Sequence, residues 1–254
     1  MTKLEARGLS FGYDGVPVGE GIDLDLAGGE IVCLLGPNGG GKTTLFRTLL
    51  GVLPPIAGEV RVAGQPLARW SRRERARLLG WVPQAHAGLF AFTVEDVVLM
   101  GRTARRGRFA APSQRDRAAS LSALERLGIG RLAGRVYTQI SGGERQLTLI
   151  ARALAQEAGV LILDEPTASL DFGNQLRVLS EVRRLRDAGI GILMSTHQPE
   201  HALEIADRIA LLEAGRIVAQ GPPRETATPE RLARLYAADL AAVAARLAPA
   251  GRRP

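Results

Sequence analysis

The nine residues Gly36-Pro37-Asn38-Gly39-Gly40-Gly41-Lys42-Thr43-Thr44 constrain this chain more than any other stretch. They follow Glu30 to Leu35, an apolar run that reads as a strand buried on both faces, and they open Thr43 to Leu50, which reads as a helix. Glycines at such a turn let successive backbone N–H groups point inward, and the helix N-terminus adds a positive dipole end. The result is a cradle for phosphates. Lysine occurs at Lys3 and Lys42 alone, and the remaining 31 of 33 basic residues are arginine. A chain with that bias keeps a compact ammonium inside the loop, where a planar guanidinium would not fit. Lys42 is therefore expected to reach the β and γ phosphates of a nucleotide, and the Thr43 hydroxyl to hold Mg²⁺.

A second chemical feature lies further along. Val160 to Asp164 reads as another apolar strand, and it ends in the pair Asp164-Glu165. Folding an apolar strand requires no carboxylates. Two at its exit suit a metal partner and a water-activating base, although a solvated acidic loop would look the same in isolation. Ser141-Gly142-Gly143-Glu144 opens a helix running to Gln156. Ser-x-x-Glu is a capping box, and that role does not exclude another. Two glycines weaken a helix start unless something must approach the backbone closely, and a terminal phosphate is such a thing.

The rest of the pattern is α/β. Leu4, Ala6, Leu9 and Phe11, then Ile22, Leu24 and Leu26, alternate like antiparallel strands before Gly28-Gly29 turns the chain. Glu59 to Val62 and Gly80 to Val82 read as strands around an Arg-rich helix at Ser71 to Leu79. From Gln84 to Ser141 the pattern changes to helices, Val94 to Gly101 and Gln114 to Leu127, joined by the basic segment Arg102 to Arg108. Strand and helix then alternate again, with a helix at Asn174 to Asp187, a strand at Ile190 to Ser195, a hairpin turn at Glu213 to Arg216 and a helix from Pro229 onward.

With the phosphate loop, Ser141-Gly142-Gly143 and Asp164-Glu165 in this order, the chain resembles the nucleotide-binding subunits of ATP-binding cassette (ABC) transporters. The resemblance covers almost the whole chain. It implies a P-loop NTPase core with an N-terminal antiparallel β subdomain and an inserted α-helical subdomain. All of 1–254 would form one ATPase domain, the helical subdomain spanning about 85–155 and a helical tail about 229–254. Its cofactors would be ATP and Mg²⁺. By the same resemblance Tyr13 would stack on adenine, although a tyrosine on a hairpin surface is the plainer reading. Gly36, Pro37, Asn38, Gly39, Gly40, Gly41, Lys42, Thr43 and Thr44 would hold the nucleotide, and Thr43, Gln84 and Asp164 the metal. Glu165, His197, Lys42 and Gln84 would be catalytic, with Ser195-Thr196-His197 matching the switch histidine. Ser141, Gly142, Gly143 and Asp171, the last in Ala168-Ser169-Leu170-Asp171, would serve the nucleotide of a second copy in a head-to-tail homodimer. Ile140, Gly40, Thr43 and Glu144 depart from the commonest family residues without removing a functional group. Ile140 to Leu147, with Phe92 to Arg102, looks like the importers of iron-siderophores, haem, cobalamin and related metal compounds. Transmembrane permease subunits and an extracytoplasmic substrate-binding protein would be the partners.

Composition limits the alternatives. No stretch approaches the ~18 uninterrupted apolar residues of a membrane span, and the first seven residues carry no signal-peptide core, so the chain is expected to stay in the cytoplasm, where the resemblance implies a peripheral place on the cytoplasmic face of the inner (plasma) membrane. A net charge of +7 raises nucleic acid as a partner, but aromatics are 4% and the arginines are scattered, so no nucleic acid is expected. A soluble ABC ATPase acting on nucleic acid or ribosomes would usually carry two cassettes or a long coiled coil. A kinase using the same loop would have no reason to carry Ser141-Gly142-Gly143 or His197. His197 and His201 do not read as a zinc pair, because Pro199 stands between them and no third ligand is near. The lone Cys33 reads as an inert buried thiol. The arginines of Arg102 to Arg108 are either a solvated loop or a docking surface for acidic groups or lipid.

Overall fold

Leu4–Tyr13 (β1) and Val16–Leu26 (β2) pair antiparallel through Asp14-Gly15, both at positive φ (50° and 80°), the two-residue turn that matches strand twist. Ala57–Val62 (β4) adds to β1, and Gln65–Pro66 (β5) to β4, giving a four-stranded sheet in the order β2-β1-β4-β5. The computed structural model describes residues 4–83, 91–106, 110–168 and 170–247. A second, six-stranded sheet contains Ile31–Leu35 (β3), Leu79–Val82 (β6), Val160–Asp164 (β7), Gly191–Thr196 (β8), Arg208–Glu213 (β9) and Arg216–Gly221 (β10). Its order is β10-β9-β3-β8-β7-β6, and all neighbours are parallel except the β9–β10 hairpin.

Period-two packing explains why β3, β7 and β8 read as continuous apolar runs. Val32, Leu34, Val160, Ile162 and Leu193 face the antiparallel sheet and Lys42–Leu49 (α1) in one core. Ile31, Cys33, Leu35, Leu161, Leu163, Ile192 and Met194 face the helices in the other. Both sides of the sheet are covered, so neither set can be polar. Burial pushes the Cys33 thiol up, which leaves it protonated and inert.

Helices lie at Arg72–Leu78 (α2), Val94–Leu99 (α3), Gln114–Arg126 (α4), Gly142–Ala155 (α5), Phe172–Asp187 (α6), Pro199–Ile205 (α7), Pro223–Thr226 (α8), Pro229–Leu235 (α9) and Leu240–Leu247 (α10). Between β6 and β7 the described chain is helical, with α3, α4 and α5 packed together around Val94, Val98, Leu124, Leu127, Leu147 and Ile150. Two elements differ from the sequence reading. The helix expected from Pro229 onward is broken after α9, where Ala237 sits at φ 49°.

The basic segment is the second difference. Met100–Arg105 is a 3₁₀ helix, and Arg102 in it is only 3% exposed. Its Nε donates to Asp116 Oδ1 at 3.0 Å, and its Nη1 donates to the Ala155 carbonyl at 2.7 Å and lies 2.9 Å from Glu157 Oε2. Arg105 donates to the carbonyls of Gln156 and Glu157 at 2.9 and 2.7 Å. These two arginines thus satisfy the carbonyls that the C-terminus of α5 leaves without helical partners. Arg102 is neither a solvated loop residue nor a docking residue: it is a buried pin between α4 and the end of α5. Arg108 lies outside the described residues.

Candidate functional site

Parallel register brings the chemistry to one edge. Leu35 pairs with Thr196 and Asp164 with Ser195, so β3, β7 and β8 end together and release their following loops on the same side. Gly36 leaves β3 so close to β9 that an added Cβ would lie 2.4 Å from the Leu212 carbonyl oxygen, and only glycine fits. Gly41 then caps α1 at φ 91°, a left-handed conformation open to glycine without strain. No side chain caps α1, which leaves its first N–H groups free for an anion.

Lys42 is buried beneath the loop. Its Nζ donates to the carbonyls of Gly36 and Pro37 at 2.7 and 3.0 Å and faces Glu165 Oε1 at 3.8 Å. Burial pulls its pKa down, and the charges of Glu165 and Asp164 oppose that pull. The Thr43 hydroxyl donates to Asp164 Oδ2 at 2.6 Å, and the Ser195 hydroxyl donates to Asp164 Oδ1 at 2.7 Å. The Glu165 amide donates in turn to Ser195 Oγ at 2.9 Å. Glu165 itself is held at φ 48°, a conformation that side-chain-bearing residues adopt at a cost and that clusters at functional sites. His197, just beyond β8, places Nδ1 3.1 Å from Glu165 Oε2.

A cavity of about 510 Å³ opens over this constellation, lined by Val18, Asn38 to Thr44, Asp164 and Glu165. The volume suits a nucleotide's phosphates and sugar. Two oxygens of different residues, Thr43 Oγ1 and Asp164 Oδ2, meet at its floor, and an all-oxygen set is what a hard cation such as Mg²⁺ takes. Tyr13 ends β1 with 43% of the residue's surface exposed and its hydroxyl 3.4 Å from both Thr44 Oγ1 and Arg47 Nη1, so it stands beside the helix that the loop opens.

The chain matches the ABC transporter family over residues 20–168. It is 46% identical over 233 residues to an uncharacterized ABC transporter ATP-binding protein of Haemophilus influenzae, covering 92% of this chain and 89% of that one. The chain belongs to the ABC transporter family. It is an ATP-binding subunit, and as such an ATPase. A hemin import ATP-binding protein, HmuV, of Streptomyces coelicolor is 42% identical over 231 residues, covering 91% of this chain and 82% of the relative. Among solved structures, one assigned to a metal-chelate type ABC transporter in an inward-facing conformation superposes with a TM-score of 0.80 at 37% identity, covering 92% and 89% of the two chains.

Other sites foreseen from the sequence stand apart from this cavity. Ser141, Gly142 and Gly143 begin α5, where Ser141 Oγ accepts from the Glu144 amide at 3.2 Å and Glu144 Oε2 from the Ser141 amide at 3.0 Å. The capping box is real, and none of the three residues lines the cavity. Asp171 caps α6 by accepting from the Asn174 amide at 2.9 Å. Gln84 and Ser169 lie outside the described residues. His201 turns from His197 toward Thr167 Oγ1, 3.3 Å away, because Pro199 starts α7 between the two histidines. Sequence reasoning missed Val18 and the Ser195 hydroxyl. Ser195 was legible only as a neighbour of His197; the register that sets it opposite Asp164 is a tertiary fact.

Proposed function

We propose that this ATPase drives import of haem or another metal chelate through membrane permease subunits, at the cytoplasmic face of the membrane, as a head-to-tail pair of identical chains. The observation that carries the reaction is the pairing of Glu165 with His197 across the cavity floor from Lys42. Glu165 takes a proton from the attacking water while His197 holds its carboxylate in place. Lys42 exchanges its two carbonyl partners for phosphate oxygens, and the free N–H groups at Gly41 to Thr43 accept the developing charge. Mg²⁺, held by Thr43 and Asp164 oxygens, supplies further charge neutralisation when bound. Gln84 is proposed to sense that site.

Ser141 to Gly143 and Asp171 lie outside the cavity lining, which supports a reading in which they serve the nucleotide of a second copy. In a two-fold pair the same surface serves both sites, so one chain's α5 N-terminus closes the other chain's cavity. Tyr13 is proposed as the adenine platform. A larger cavity, about 1040 Å³, lies between α2 and the helical insertion, lined among others by Leu50, Val52, Trp81, Met100, Arg72 and Arg106. Its apolar floor and basic rim suit a short helix with an acidic flank from a permease subunit. Among the described residues no helix is long and apolar enough to cross a membrane, so the passage is assigned to such subunits. A separate extracytoplasmic binding protein would deliver the cargo. No nucleic-acid partner is proposed.

The 42% identity to a hemin import ATPase supports the cargo class. Vesicles carrying the chain with its permease subunits should accumulate haem or a metal chelate on the same side as the ATPase and its nucleotide, and only while that nucleotide is hydrolysed. Cargo moved outward from the ATP-containing side would overturn the assignment, and so would co-purification of the chain with nucleic acid in place of a membrane protein.

A further inference from the structure

The large groove beside the helical insertion holds more positive charge than this chain neutralises. Five arginines line it: Arg72, Arg73 and Arg75 from α2, Arg106 just after the 3₁₀ helix, and Arg152 from α5. No Asp or Glu lines it. Every Asp and Glu of the chain lies among the described residues, and none forms an ion pair with any of the five. Acids are not scarce elsewhere, since even the exposed Arg7, Arg117, Arg131 and Arg216 meet carboxylates. Glu74, the nearest acid in sequence, is turned away to cap α2, where it accepts from the Ser71 amide at 2.8 Å.

Arg73 and Arg75 are held by carbonyls instead, Arg73 by those of Ala104 and Arg106 and Arg75 by those of Trp70 and Gly51. A carbonyl orients a guanidinium and leaves its charge in place. The side chains of Arg72 and Arg152 have no hydrogen bond or ion pair among the described residues. Two buried donors of the same lining, Trp81 Nε1 and Arg106 Nε, also lack a partner there. Like charges gathered without a counter-charge repel, and unmet donors cost free energy once water is excluded. Water alone does not suit the site, because its floor is apolar, with Leu50, Trp81 and Met100. A polyanion or a free phosphate would match the arginines and miss that floor. The partner that fits is apolar on one side and acidic on the other.

We propose that the permease subunit is recognised here by carboxylates on an amphipathic helix, which supply the counter-charges that Arg72, Arg106 and Arg152 lack. The inference rests on the permease reading above and adds the chemistry by which a matching subunit is told from another: a helix without acids would leave these cations buried and unpaired. The pairing of two chains does not compete for the groove. Ser141 begins α5, whereas Arg152 stands roughly 16 Å further along its axis at about 1.5 Å per residue, so the second chain engages the opposite end of that helix. The walls come from α2 on one side and from Met100 to Arg106 and α5 on the other, so one acidic helix bridges the nucleotide-binding core and the helical insertion.

Apart from the α-amino group, the chain carries amines only at Lys3 and Lys42, so coupling of an amine to a carboxylate is nearly silent in the parent. Arg72→Lys and Arg106→Lys keep the charge and each place one amine in the groove. Treated with a water-soluble carbodiimide in the purified complex with the permease subunits, each is expected to form an amide with an Asp or Glu of a permease helix, the carbodiimide taking up the water released. Arg72→Glu combined with Arg106→Glu is expected to weaken assembly with the permease about tenfold or more at low salt and to flatten its salt dependence, with ATP affinity unchanged. An intact complex that yields no such amide from either lysine would overturn the proposal, as would unchanged assembly after the charge reversal. So would a reversal that spares assembly but abolishes binding to permease-free vesicles of anionic phospholipid, which would assign the groove to lipid. A parent chain that assembles with no membrane subunit would instead overturn the permease reading, and this proposal with it.

Discussion

His197 Nδ1 and Glu165 Oε2 lie 3.1 Å apart although the two residues leave different strands, β8 and β7. Glu165 also faces Lys42 at 3.8 Å, so one carboxylate is shared between an imidazole that can orient it and an ammonium that can turn to phosphate. A glutamine at 165 would keep the shape and the His197 contact but could not take a proton. Glu165→Gln is expected to lower kcat by about 10²–10⁴ while leaving ATP affinity within a few-fold, and to accumulate ATP-bound pairs of chains. Equilibrium binding and single-turnover hydrolysis of the partner-bound variant separate the two effects. Near-normal turnover would remove Glu165 from the role of base.

Ser195 offers a prediction that the sequence alone does not. Its hydroxyl donates to Asp164 Oδ1 and accepts from the Glu165 amide, so it orients the carboxylate at the cation floor and the residue beside it. Ser195→Ala leaves one buried carboxylate oxygen and one amide without that partner. Loss of a group that orients a metal-binding carboxylate typically weakens metal affinity about 10- to 100-fold. The Mg²⁺ concentration for half-maximal ATPase activity should rise about tenfold at saturating ATP. An unchanged Mg²⁺ titration would show that Thr43 alone fixes Asp164.

Much of this geometry was legible because its chemistry is local. Gly36 to Thr44 forms one continuous loop, and β3 and β7 could be read from apolar runs that end where Gly36 and Asp164-Glu165 begin. Ser141's cap is likewise a four-residue property. Residues whose partners are set by register or by distant packing were not legible. Ser195 meets Asp164 only because β7 and β8 pair in one register. Arg102 misled for a related reason: amid Arg102, Arg105 and Arg106 it looks like a surface charge, and its burial depends on Asp116 and on the far end of α5.

Arg102 and Asp116 therefore predict stability and its pH dependence. Asp116 accepts hydrogen bonds from Ser113 and Arg102, which hold its pKa at about 2, below the ordinary unfolded value of about 3.9. A depressed carboxylate pKa contributes stability that is fully present above about pH 4 and is lost as pH falls toward 2. Asp116→Asn should flatten the fall in melting temperature across that window. Arg102→Met strands the Asp116 carboxylate and should cost about 3 kcal/mol in denaturant unfolding, the range for breaking a buried pair. A midpoint within error of the parent would return Arg102 to the surface.

Shared sites make the sharpest test of pairing. Lys42 lies in the cavity of its own chain, whereas Ser141 to Gly143 do not line it and must come from a second copy if they serve ATP at all. Lys42→Ala and Ser141→Arg should each be nearly inactive as a pair of identical chains, because both sites then carry the defect. In a mixed pair, one composite site receives the altered loop and the altered α5 end together, and the other receives neither. Mixing the two inactive variants should therefore restore activity to the mixed fraction, up to about half the parental rate per mixed pair if the sites fire independently. Self-contained sites would give no recovery at any ratio. Recovery that appears on mixing Lys42→Ala with Glu165→Gln would also count against the scheme, since those two residues face each other within one chain and a mixed pair would leave each site damaged.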